Sequence, residues 1–362
     1  MDYSDVYYSE NPEEDIWLNL KRYSFVENIY RYYKDSEVNP SEDLVEAISG
    51  SILQAYEYFQ ASKTATIQTA PLLLYYGATN LLFAASCLLK GEIVKVNGHG
   101  MKLVDSNKLN KNILKNKVKL VDPSAGGFSV YLSAITGKEI PNNSEWSILE
   151  LLGSIPEIYK EFVELLDKSD LYLIPLERVI SDEEDSFTSN SKVLLETEVE
   201  SKIQFVINYR ENYLKYGTTR SGKVVFRTKL NGESLVKQSF FNENYFPVGH
   251  EKNGKLYDFD SLFYEYLILF TLGTICRYHP HIWTPFVRLD NSGEVNFIEK
   301  FLNTSRRYFP NIILDKLQGE RHFYSNQLYV PNNIRTNISE KELDAKLKNI
   351  IAKLGGNLDG NI

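Results

Sequence analysis

The chain has 362 residues, 43% of them apolar and 24% charged, with a net charge of −8, which is enough for a substantial core and for two or three structural units. The negative balance argues against sequence-independent binding to long duplex DNA, which needs Lys and Arg to neutralise phosphates, while a local basic site stays open. Two cysteines, Cys87 and Cys276, each within an apolar run, argue against a disulfide scaffold and fit a reducing, cytoplasmic setting.

The N-terminal stretch Met1 to Asp15 is acidic and has neither the basic start nor the apolar segment of a secretory signal. A first helix opens at Asn11-Pro12-Glu13-Glu14, with Asn as cap and Pro at the first position, and is expected to run to about Lys34. A second opens at Asn39-Pro40-Ser41-Glu42 and carries Leu44, Val45, Ile48, Ile52 and Leu53 into the aromatic stretch Tyr56-Glu57-Tyr58-Phe59. After a break near Ala61 to Thr66, the segment Ala70 to Leu89 holds 20 residues without a charge, which is membrane-spanning length. Gly77, Thr79, Asn80 and Ser86 interrupt it and no Lys/Arg cluster marks one side, so it reads as a buried core helix and no membrane span is expected. Gly91 supplies its stop.

Asn97-Gly98 is a strong turn signal and predicts a hairpin over 92–104. Residues 111–143 read as irregular, punctuated by Pro123 and Gly126-Gly127, before a helix near Ser147 to Leu152 and another opened by Ser154-Ile155-Pro156-Glu157. From Leu171 the texture turns to short β runs at Leu171 to Leu176, Val193 to Val199, Lys202 to Tyr209 and Lys223 to Leu230, the last followed by Asn231-Gly232 and a return strand. The acidic run Ser181 to Asp185 reads as a solvated loop. Asp258 and Asp260 open a second charge-poor helix, Leu262 to Cys276, in which Glu265 is the only acid. Helices follow over Val295 to Arg307 and after the capping box at Ser339-Glu340-Lys341-Glu342, where Leu343, Leu347, Ile350, Ile351 and Leu354 form an apolar stripe that packs on the body or docks a partner. The expected fold is α+β, mainly α-helical with an inserted small antiparallel β region. Its expected parts are an N-terminal helical region at 1–168, a β-rich insertion at 169–256, a C-terminal helical region at 257–338 and a terminal amphipathic helix and tail at 339–362.

The sequence contains no Gly-rich phosphate loop with Lys-Ser/Thr, no dinucleotide fingerprint, no Gly-x-Ser-x-Gly elbow, no His-Glu-x-x-His and no Cys-x-x-Cys. This argues against Walker-type hydrolysis, Rossmann nicotinamide chemistry and the common zinc folds, and no cofactor is expected. Five histidines remain, and Arg277-Tyr278-His279-Pro280-His281 joins two of them to an arginine at the end of an apolar helix. Histidine moves protons near neutral pH and arginine stabilises developing negative charge, so Arg277, His279 and His281 are candidate catalytic residues. Pro280 should break the helix and set the two imidazoles apart. In the alternative reading Arg277 caps the last carbonyls of its helix and Trp283 anchors the next turn. A metal held by His279 and His281 would need a third ligand such as His99 or His250, and none is expected.

His99 sits between Gly98 and Gly100, while Tyr76, Asn80, Phe83 and Cys87 share one helical face with Thr79 beside them. Asn80, an amide in an apolar helix, needs a partner, for which Thr271, Thr274, Arg277 and Tyr278 on the other charge-poor helix are the natural candidates. If the two helices pack together, Tyr76, Asn80, His99, Tyr278 and Trp283 gather as candidate ligand-binding residues.

Pro71-Leu72-Leu73-Leu74-Tyr75-Tyr76-Gly77, Asn80-Leu81 and His99-Gly100 resemble the bacterial YaaC-like protein family, as do Arg277-Tyr278 with Trp283 beyond. Gly127-Phe128, Ser147 to Leu152 and Ile155-Pro156-Glu157 fit the same pattern, and the resemblance spans roughly residues 12–320. It implies a helical core similar to HEPN modules, which bind or cut RNA and recur in defence systems. The usual HEPN pattern is an Arg followed by a His after four to six residues; here Arg277 is followed by His after one and after three, a departure from it. Two functions are therefore expected. One is a defence or stress protein that binds RNA or a nucleotide, with HEPN-like ribonuclease activity as its catalytic version. The other is a non-catalytic interaction or regulatory subunit with a protein partner or a second copy of itself.

Overall fold

A computed structural model describes residues 4–139, 143–165, 172–179, 186–189, 214–218, 224–228, 237–241, 243–247, 250–252, 255–257, 260–290 and 292–325. The strands expected at 193–199 and 202–209, the return strand after Gly232, the acidic loop at 181–185 and the terminal helix lie outside the described residues.

The first helix is shorter than its pattern suggests. It divides into α1 (Pro12–Lys21), a 3-10 turn (Arg22–Ser24) and α2 (Val26–Tyr32), with Phe25 extended between them at φ −88° and ψ 127°. The cause is tertiary. Ser24 Oγ donates back to the Lys21 carbonyl at 2.8 Å, and the Ser24 carbonyl turns away to accept from Ser49 Oγ at 2.7 Å. Asn11 precedes α1 without a side-chain cap bond.

Helix α3 (Glu42–Thr64) starts on Ser41, whose hydroxyl accepts from the Leu44 N–H at 3.2 Å. Its stripe of Leu44, Val45, Ile48, Ile52, Ala55 and Phe59 is buried. Helix α4 (Ala70–Lys90) lies against α3 so closely that a Cβ on Gly77 would come within 2.6 Å of the Phe59 ring. Gly91 closes α4 at φ 70°, its N–H donating to the Cys87 carbonyl at 2.9 Å.

The hairpin expected over 92–104 does not form. Instead β2 (Met101–Leu103) pairs antiparallel with β3 (Lys117–Leu120), which pairs with β4 (Glu145–Ser147). The region expected to be irregular contains β3 and helix α5 (Gly127–Thr136). Helix α6 (Ile148–Leu152) carries a full capping box between Ser147 and Glu150, and α7 (Tyr159–Leu165) follows.

Strands β5 (Leu173–Val179), β6 (Ser186–Ser189), β7 (Leu214–Thr218), β8 (Val224–Thr228), β9 (Lys237–Gln238) and β10 (Asn244–Pro247) form an antiparallel sheet in the order β7-β8-β6-β5-β10-β9. A hairpin of β11 (His250–Lys252) and β12 (Lys255–Tyr257) comes next. Asp260 then caps α8 (Ser261–Tyr278), in which every residue from Leu262 to Gly273 is buried. Helix α9 (Pro280–Leu289) starts directly beyond, and α10 (Glu294–Gln318) runs well past the end at Arg307 expected for it. Strand β13 (Arg321–Ser325) pairs in parallel with β1 (Ser4–Tyr8).

The fold is thus α+β and mainly α-helical with small antiparallel sheets. Helices α4 and α8 pack antiparallel at its centre: Thr79 meets Tyr266, while a Cβ on Gly273 would stand 3.4 Å from the Pro71 carbonyl oxygen. Among the described residues, α4 is the one helix long and apolar enough to cross a membrane, and 61% of its apolar window is buried, against α3, α5, α8 and α10. Fully covering a Leu or Phe side chain contributes about 1.5–3 kcal/mol, so the buried faces of α3, α4 and α8 supply much of the core's stability.

Candidate functional site

His99 is held by its backbone before its side chain does anything. The Asn97 N–H donates to the Ala125 carbonyl at 2.7 Å, and the first-turn N–H groups of α5, from Gly127 and Phe128, donate to the Gly98 and His99 carbonyls, both at 3.0 Å. The Gly-His-Gly segment therefore closes the N-terminus of α5. Gly98 and Gly100 take φ 77° and 73°, and a Cβ on Gly126 would stand 2.4 Å from the Gly100 Cα, so glycine is required where the two chains cross.

This returns His99 to the opposite end of α4 from the one the chain has just left. Its Nδ1 lies 2.6 Å from Tyr75 Oη, and its ring meets Tyr75 edge-on and Phe270 at 5.8 Å. Partial burial, with the nearby Arg277 charge as the smaller cause, lowers its pKa below the usual 6.5, so the imidazole is neutral at pH 7.

Arg277, near the end of α8, is exposed. Its guanidinium donates to Tyr76 Oη and stands over the Tyr278 ring at 4.8 Å. Tyr58 stacks on Tyr76 with centroids 5.7 Å apart, and Tyr278 is 60% exposed. A held cation, a neutral imidazole, one exposed phenol ring and one half-buried one form a combination chemically suited to an anion attached to a flat group.

Asn80 does not reach across to α8. It is half-buried, and its amide donates to the Tyr76 carbonyl of its own helix at 3.0 Å. The cross-helix contact falls to its neighbour Thr79, 3.2 Å from Tyr266 Oη. His279 ends α8 and precedes Pro280, which does break the helix, yet the His279 and His281 rings stay 5.9 Å apart, edge to face. Burial and then the neighbouring His281 lower the His279 pKa. Among the described residues no third His, Cys, Asp or Glu joins them in a metal-binding group. Trp283 is 1% exposed and packs on Phe286, so its ring is covered by the core. His322 is buried against Asp315, with Nδ1 to Oδ1 at 2.9 Å, and fastens β13 to α10; His250 lies in β11. Cys87 and Cys276 are both free thiols.

Sequence reading missed Tyr75, Tyr266 and Phe270, which surround the inner side of His99. The available signal was Tyr75 and Thr79 at i, i+4, next to the face that was chosen. Glu265, read from the sequence only as the one acid of its helix, is fully buried on α8 with its pKa pushed up to about 8 by burial first and by Glu157 and Asp260 after it. Ser305 of α10 eases its charge, but neither carboxyl oxygen makes a hydrogen bond of normal geometry. Glu157 is buried as well and accepts from the Phe240 N–H at 3.1 Å. Outside it a shallow depression of about 220 Å³ is lined by Lys160, Glu161, Glu243 and Lys300, whose charges pair as Lys160–Glu243 and Lys300–Glu161.

The profile of the YaaC-like proteins matches residues 17–317, which takes in α4, the His99 crossing and α8. The match does not extend to a HEPN module. No curated protein and no solved structure matches the chain.

Proposed function

Since the chain belongs to the YaaC-like protein family, we propose that it binds RNA or a nucleotide, through a phosphate, on the surface made by Arg277, Tyr76, Tyr278 and His99. The observation that carries this reading is the exposed Arg277 guanidinium, held by Tyr76 Oη and the Tyr278 ring beside a neutral histidine. Arginine fixed in this way meets a phosphate with charge-assisted hydrogen bonds, and the exposed Tyr278 ring suits base stacking. The setting is a bacterial defence or stress system. In the catalytic version of this reading, His279 and His281 move protons while Arg277 stabilises charge on phosphorus.

The test is fluorescence anisotropy with a labelled short single-stranded RNA, competed by AMP. Arg277→Ala is expected to weaken binding about tenfold to a hundredfold, the range for a lost hydrogen bond to a charged group. Equal affinity in the two proteins removes this surface from the reading. Labelled total RNA separates binding from cleavage: cuts made equally by wild type and by an Arg277→Ala/His281→Ala variant exclude these residues as the cutting site.

Leu18 on α1, Phe25 before α2 and Val26 at its start, exposed at 61%, 62% and 53%, favour a second reading, a regulatory subunit with a protein partner or a second copy of itself. Light scattering and co-purification from the native host test it. A protein recovered alone and monomeric contradicts it.

A further inference from the structure

The protonation of His99 depends on the hydroxyl groups behind it. Tyr75 is 4% exposed, so its O–H must find an acceptor inside the protein. Thr79 Oγ1 donates to the Tyr75 carbonyl at 2.9 Å and lies 3.2 Å from Tyr266 Oη. With the Thr79 proton committed to that carbonyl, Tyr266 is the donor in the second contact and Thr79 the acceptor. The Tyr75 hydroxyl also has the Thr79 and Tyr266 hydroxyls as neighbours, and its shortest contact is with His99 Nδ1 at 2.6 Å. That separation suits an O–H donor, whereas N–H···O bonds centre near about 2.9 Å. A neutral imidazole has a single acceptor nitrogen, and a phenol is a better donor than acceptor toward it. Burial pushes the Tyr75 hydroxyl up to about 12 and holds His99 below 6.5, so both partners keep these roles through neutral pH.

We infer that Tyr75 is a positioning residue that locks His99 in the form protonated at Nε2, so that the imidazole offers a ligand a neutral N–H donor beside Arg277 and does not serve as a proton acceptor. The ligand class narrows accordingly. The atom that meets His99 is an acceptor oxygen, such as a phosphoryl oxygen next to the one held by Arg277. A hydroxyl awaiting deprotonation is the wrong partner, so His99 is not the base of an RNA-cleaving site. This rests on the binding reading above for its ligand, but not for the state of the ring.

The test is nitrogen-15 NMR of the full-length protein labelled at histidine, without ligand, near pH 7.5, with His99 assigned through His99→Gln. The expected result is a protonated Nε2 and an unprotonated Nδ1 in the wild type, with both tautomers populated in Tyr75→Phe and no change in Tyr266→Phe. A wild-type His99 protonated at Nδ1, or a Tyr75→Phe variant with native backbone spectrum that keeps the Nε2–H form alone, overturns the inference. Should Tyr75→Phe fail to fold, the wild-type spectrum still decides. Absence of AMP binding alongside an Nε2–H ring would sink the binding reading and leave the role of Tyr75 standing.

Discussion

Tyr75 Oη lies 2.6 Å from His99 Nδ1, a hydrogen bond that joins a core helix to an exposed loop residue 24 positions further along the chain. It gives the loop a fixed side chain at the place where Arg277 and Tyr76 meet. The properties of the surface therefore depend on groups that never reach solvent.

His99 should titrate below 6.5. Burial is the larger cause and the Arg277 charge the smaller, so Arg277→Ala should raise the midpoint while leaving it below that of an exposed histidine. Because the folded pKa is depressed, the unfolded chain binds more protons below 6.5, and this contribution to stability is lost as pH falls through the folded midpoint. Proton NMR titration of both proteins checks it; an unchanged midpoint in Arg277→Ala contradicts the geometry.

Glu265 has the opposite sign. Its folded pKa of about 8 lies above the ordinary 4.5, so the folded state holds the extra proton and stability falls as pH rises from about 4.5 toward 8. Glu265→Gln should remove that slope and gain up to a few kcal/mol at pH 8 relative to wild type. Thermal unfolding across this pH range is the measurement, and parallel curves for the two proteins refute the assignment.

The crossing of the two glycine segments should be intolerant. Gly100 has φ 73°, and its Cβ position is 2.8 Å from Gly126 backbone atoms, so Gly100→Ala adds left-handed strain to a backbone clash. A loss of about 2 kcal/mol or more is expected in chemical denaturation. Gly50, with nothing within 4 Å of its Cβ position, is the control and should accept Ala without loss.

How much of this was legible depended on whether the cause was local. Gly91 as a stop and Pro280 as a break each act within a turn or two, and both appear as read, while the start read over 39–42 resolves to a cap at Ser41. The YaaC-like family was likewise carried by local motifs, the Leu-Leu-Tyr-Tyr-Gly block above all. Asn97-Gly98 misled because its carbonyl and N–H groups pair with residues 125–127 and not across a hairpin, a contact no window near residue 97 contains. Asn80 misled because its amide found a carbonyl on its own helix. The packing of α4 on α8 was anticipated, whereas the register that favours Tyr75 and Thr79 over Asn80 comes from the close approach at Gly273.

Trp283 and Tyr278 were both read as ligand residues, and their burial predicts different behaviour. Trp283→Ala should cost about 3–5 kcal/mol of stability, as expected for a large ring removed from a core. Tyr278→Ala, at a ring 60% exposed, should leave the melting temperature within a degree or two and weaken nucleotide binding. Scanning calorimetry beside anisotropy separates the two effects, and a matching pair of variants would remove the distinction.

Recognition of a phosphate by this surface is distinguished from recognition of the base by comparing AMP with adenosine. Titrating each into the nitrogen-15-labelled protein and following the Arg277 Nε–H and His99 side-chain signals isolates the phosphate from the base. Saturable shifts of both signals with AMP, little response to adenosine, and loss of the AMP response in Arg277→Ala are expected. Equal shifts with adenosine, or no response of either side chain to AMP, would contradict phosphate recognition.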